Sequence, residues 1–141
     1  ARTYKLLRTL LIALLLAWPM ATRAGTALHK GVTRNGLVTA NSYKYYKLGV
    51  NCLEAAQTLS FALTATNGDP NIYISTSVQQ PTAASHTWSA AAPGSDEVNI
   101  TSPQAGVYYI GIYGQSSSTF KLQAFMKMYT GKHMCQGFRL Q

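Results

Sequence analysis

Asp69, Asn71 and Asp96 are the residues of this chain best suited by type to hold a metal ion. The first two sit in Asn67-Gly68-Asp69-Pro70-Asn71, which runs straight into the alternating segment Ile72-Tyr73-Ile74. Calcium takes about six to eight oxygens, several of them carboxylate. Asp69 offers a carboxylate and Asn71 only a neutral carbonyl oxygen; Asp96 adds a second carboxylate if the fold brings it across. The same residues also spell a tight corner. Gly68 is free at positive φ, Pro70 sets its own φ, and Asp or Asn side chains accept from nearby backbone N–H groups. A single acid in the motif weighs toward the corner, with calcium as the alternative. No other cofactor is implied.

Hydrolytic chemistry finds little material. His29, His86 and His133 lie in three separate regions, and neither an H-E-x-x-H nor a G-x-S-x-G pattern occurs. Ser116-Ser117-Ser118 reads as loop composition, and the adjacent Asp96 and Glu97 point to opposite faces of any strand they occupy. The expectation is therefore a non-catalytic protein. Aromatic residues are the richer resource. Tyr43, Tyr45 and Tyr46 cluster in one segment and Tyr108, Tyr109 and Tyr113 in another. Alternation puts rings on both faces of each segment. The outward ones, expected to be Tyr45, Tyr73 and Tyr109, form a platform for sugars or for another protein, or pair across strands to stabilise a sheet. Trp88, in a polar stretch, is the further contact candidate: an interface anchor or a lid folded over one end of the domain.

The elements that must position these side chains are short and alternating, and no helical period of useful length appears. Asn35-Gly36 predicts a hairpin turn between 28–33 and 37–40. Further strands are expected at 43–50 (Tyr46, Leu48 and Val50 inward), 58–66 (Leu59, Phe61 and Leu63 inward) and 71–76 (Ile72 and Ile74 inward). Residues 77–95, rich in Pro, Ala and Ser, read as a long loop. Strands follow at 97–101, 107–113 and 119–128. The fold class is all-β: an antiparallel two-sheet β-sandwich, jelly-roll-like, of about seven or eight strands.

The first 24 residues stand apart from that domain. A basic opening (Arg2, Lys5, Arg8), the apolar run Leu10–Trp18 and small residues up to Ala24 are the three parts of a secretory signal peptide. The run is too short to span a membrane, which needs about 20 apolar residues. Division at Ala24 leaves a β-sandwich over 25–128 and a tail over 129–141. The chain starts at Ala1 rather than Met, so a short preceding stretch is expected. Of the twelve Lys and Arg, eight lie beyond Arg23 and face four acids, leaving a net charge of +4. These are scattered, without the basic stripe of a nucleic-acid binder. Secretion also makes Cys52 and Cys135 a candidate disulfide that ties down the tail and closes a loop of roughly 80 residues, worth about 4.5 kcal/mol in the chain-entropy picture. A link to another chain is the alternative. Asn99-Ile100-Thr101 is a glycosylation sequon that functions only if Asn99 faces outward.

The ordered stretches SYKYYKLGV, LSFALTATNGDPNIYIST, Pro81-Thr82, Trp88-Ser89, SDEVNIT and AGVYYIGIYGQSSSTFKLQA resemble the bacterial pre-peptidase C-terminal domain (PPC) family across residues 42–124. The resemblance implies a secreted, non-catalytic β-sandwich associated with targeting, with substrate or matrix binding, and with assembly, in some members with calcium. Many relatives carry a second acid where this chain has Asn71. The expected function is an extracellular structural or assembly module that packs with copies of itself or other matrix proteins. The alternative is a carbohydrate- or matrix-binding accessory domain acting as a monomer. Expected partners are thus self, other extracellular proteins or glycans, with neither nucleic acid nor, after cleavage, membrane.

Overall fold

A computed structural model describes residues 25–51 and 57–127; the leader, Cys52, Cys135 and the tail lie outside the described residues. Nine strands form two sheets. In chain order they are β1 (Thr26–Ala27), β2 (Arg34–Val38), β3 (Tyr43–Val50), β4 (Thr58–Asn67), β5 (Pro70–Ser75), β6 (Trp88–Ala90), β7 (Asp96–Thr101), β8 (Gly106–Gly114) and β9 (Ser118–Lys127). One sheet has the order β1-β3-β8-β5-β6 and the other β2-β9-β4-β7. All pairings are antiparallel except the two-residue β1, which runs parallel to β3. The count exceeds the expected seven or eight because β1 and β6, two and three residues long, are too short to show an alternation.

Period-two patterning explains the core. Leu59, Phe61 and Leu63 of β4 and Phe120, Leu122 and Ala124 of β9 meet Tyr46, Leu48, Ile72, Ile74, Tyr108, Ile110 and Ile112 from the opposite sheet. Each expected inward residue of β3, β4 and β5 is buried, as are Val98 and Ile100 of β7 and Tyr108, Ile110 and Ile112 of β8. One strand departs from the half-buried pattern: every residue of β5 is buried, on both faces. The segment 77–87 is responsible. It folds back over the outer side of the five-stranded sheet, where Ala83 N–H donates to the Tyr43 hydroxyl at 3.1 Å and the Pro81 carbonyl lies against Gly111.

Two local expectations are corrected. Asn35-Gly36 is not a hairpin turn; both residues lie inside β2, which pairs with β9. Gly36 is there for space: a Cβ would sit 2.3 Å from the Phe120 ring and 2.8 Å from the Tyr46 hydroxyl. Trp88 is not in a loop. It opens β6, opposite Ile74, and packs against the core. The expected long loop over 77–95 therefore divides into the strap 77–87, a short edge strand and the β6–β7 loop.

Candidate functional site

The fold brings Asp69 and Asp96 to one end of the sandwich, where the β6–β7 loop lies over both. Gly94 N–H donates to Asp69 Oδ1 at 3.1 Å, and Ala92 N–H donates to Asp96 Oδ1 at 3.0 Å. The Asp69 amide is shared by the hydroxyls of Ser116 (3.1 Å) and Ser118 (2.9 Å), and the Asp69 carbonyl accepts from Gln115 N–H. Gly68 has φ of 79°, the left-handed geometry the corner needs. Burial, reinforced by the Asp69 charge, raises the Asp96 pKa above the ordinary carboxylate value. Two buried oxygens here, Asn71 Oδ1 and Asp96 Oδ2, have no hydrogen-bond partner among the described residues.

These residues fall short of a calcium shell. Each carboxylate already spends one oxygen on a backbone N–H, and Asn71 adds a single neutral oxygen. Calcium takes about six to eight oxygens, so backbone carbonyls or water would have to supply most of the shell. Among the described residues, no group of three or more His, Cys, Asp or Glu comes together. Millimolar calcium is therefore expected to leave the melting temperature unchanged. A rise in wild type that Asp69→Ala removes would reverse this reading.

The second candidate is the outer face of the five-stranded sheet. Tyr43, Tyr45, Tyr109 and Tyr113 project there, each half-buried. Tyr43 is the hub: it stacks on Tyr45 (centroids 5.8 Å, planes 4° apart), leans on Tyr113 (4.8 Å) and reaches Tyr73 (6.5 Å). Tyr73 points outward as expected but is only 8 % exposed, with His86 of the strap 5.1 Å away. It is thus withdrawn from any partner, while Tyr45 and Tyr109 stay accessible. Burial raises the pKa of both Tyr45 and Tyr73. Sequence reasoning missed Tyr43 and Tyr113. The signal lies in the register: Tyr43 pairs with Tyr113, and Asn71 with Tyr113.

The sequence model of the bacterial pre-peptidase C-terminal domain matches residues 50–114, from the end of β3 through β8. Over those residues the chain is similar to a pre-peptidase C-terminal domain. Among solved structures, the pre-peptidase C-terminal domain of collagenase from Bacillus anthracis is similar in fold, with a TM-score of 0.55 and 14% identity, over 73% of this chain and 98% of that one. No curated protein matches the chain. Domains of this family are non-catalytic modules that occur in secreted bacterial proteins. Among the described residues, no helix is long and apolar enough to cross a membrane.

Several other polar side chains are held in contacts within the domain. His86 Nδ1 meets the Thr82 carbonyl at 3.0 Å, and no serine bonds a histidine among the described residues. Asn99 lies on the outer side of β7, exposed, as a usable sequon requires. Its Oδ1 accepts from Ser60 Oγ (2.6 Å) and Lys127 Nζ (3.0 Å). Lys127 also pairs with Glu97, lowering the Glu97 pKa. The pair is half exposed and adds little stability.

Proposed function

We propose that this domain is a secreted, non-catalytic assembly module that packs against copies of itself or other extracellular proteins through the tyrosine face. The supporting observation is the row of half-exposed rings, Tyr43, Tyr45, Tyr109 and Tyr113, on the side of the sheet away from the core. Rigid amphipathic rings are the usual anchors of protein contacts. The cluster is held in place by its own stacking and by two fixed hydroxyls: Tyr43 accepts from Ala83, and Tyr113 donates to Asn41 Oδ1 at 2.9 Å. Little ordering is then left to oppose binding. Strand addition at the edges of this sheet is less favourable, because β1 and β6 offer only two and three residues.

Light scattering over a concentration series tests the reading. A reversible dimer or larger species is expected, weakened about tenfold or more by Tyr45→Ser with Tyr109→Ser, the loss typical of an aromatic anchor. Melting curves check that the variant still folds. A strict monomer at high concentration overturns assembly between copies.

A further inference from the structure

At the end of the domain where the edges β6 and β7 converge lies a cleft of about 350 Å³. Its size falls in the range of small-molecule sites. Trp88 and Tyr108 form its aromatic wall, with ring centroids 5.8 Å apart and planes inclined by 33°. Tyr108 is 1 % exposed, so Trp88, half-buried, presents the accessible ring. The rim carries Thr76, Thr101, Ser102 and Gln104. None of these four side chains makes a hydrogen bond among the described residues. Among the described residues, no charged one lines the cleft.

The loop that closes the cleft is held in shape. Tyr108 Oη donates to the Gln104 carbonyl at 3.0 Å, tying the rim to the aromatic wall. Ser102 has φ of 48°, left-handed and uncommon for a residue with a Cβ. Such strain gathers at ligand sites more often than elsewhere. A flat indole beside uncommitted hydroxyls and an amide suits a ligand with an apolar face and a ring of hydroxyls. The lack of charge selects against sulfated or uronic sugars.

We infer that this cleft binds a neutral saccharide unit, stacked on Trp88 and hydrogen-bonded by Thr76, Thr101, Ser102 and Gln104. This goes beyond the assembly reading and is independent of the tyrosine face, which lies on the outer side of the sheet while Trp88 packs toward the core.

Trp88 is the sole tryptophan of the described residues, and Trp18 lies in the leader, so an emission change that Trp88→Phe abolishes reports the site. The test titrates the full secreted chain, made without a glycan at Asn99 because Asn99 borders the cleft. Neutral β-linked glucose, mannose and N-acetylglucosamine oligosaccharides serve as probes, with a sulfated and a uronate oligosaccharide beside them. A saturable change in Trp88 emission with at least one neutral probe is expected, and none with the charged ones. Trp88→Phe removes the reporter but keeps a ring for packing; followed by calorimetry beside wild type, it is expected to bind about tenfold more weakly, as a smaller stacking surface is left. Thr101→Val, on the exposed rim, should weaken binding with melting unchanged. Tyr45→Ser should leave it unaltered, which separates this site from the assembly face. Saturable binding of no neutral probe, stronger binding of the charged ones, or affinity unchanged in both Trp88→Phe and Thr101→Val would each overturn the inference.

Discussion

Gly68→Ala is expected to destabilise the domain by about 2–4 kcal/mol, a backbone penalty plus a steric one. At φ of 79° a Cβ costs about 1–2 kcal/mol by itself. Here that Cβ would also lie 2.4 Å from the Ser117 carbonyl oxygen and from Ser118 Oγ, and 2.9 Å from Ser118 Cα. Backbone cannot yield as a flexible side chain can. The β8–β9 turn must move, and Ser118 Oγ is the acceptor that holds the Asp69 amide at 2.9 Å. For a domain of this size each kcal/mol lowers the melting temperature by roughly 4–8 °C. Gly94→Ala is the matched control. Its φ is also positive, 89°, yet nothing lies within 4 Å of its Cβ. Thermal denaturation of both variants decides the matter: equal losses would show that the corner is not packed as described.

Asp96→Asn is expected to act in the opposite direction, stabilising the domain at neutral pH by about 1–3 kcal/mol, the cost of a buried acceptor left unmade. Asp96 is 8 % exposed, and its Oδ2 has no partner among the described residues. An amide removes the buried charge and replaces the unpartnered Oδ2 with a donor beside the Asp69 charge, while its remaining oxygen still accepts from Ala92 N–H. The pH dependence carries the sign. The folded-state pKa is raised, so wild type holds this contribution in full below the unfolded Asp value of about 3.9 and loses it as pH rises through the folded value. Wild type and Asp96→Asn should therefore melt alike in acid and diverge toward neutrality. The difference between the two profiles isolates Asp96 from Glu97, whose pKa is shifted the other way. A variant less stable than wild type at neutral pH would mean that the Asp96 carboxylate meets a favourable cation or donor.

The strands and their inward faces were legible from alternation alone, because a half-buried strand writes its burial into every second residue. Leu59, Phe61 and Leu63, or Tyr108, Ile110 and Ile112, could be assigned without coordinates. The corner was legible too, since Asn67-Gly68-Asp69-Pro70 is local chemistry. Gly36 was misread for the converse reason: its requirement is Phe120, more than eighty residues away, and a turn dipeptide looks the same whether it bends the chain or makes room for a ring. β1 and β6 exist only because a longer neighbour pairs with them.

By itself, then, the sequence determined an all-β domain, its core faces and its principal corner, for these follow from residue periods and backbone preferences within a few positions. Tertiary structure alone decided which outward rings remain available, because the strap 77–87 buries Tyr73 and spares Tyr45 and Tyr109. It also decided that Asp69 and Asp96 share one cap, and that Trp88 meets Tyr108 in a cleft. Each of these joins residues distant in the chain, and such meetings are set by strand order and register, which the period of any single strand does not carry.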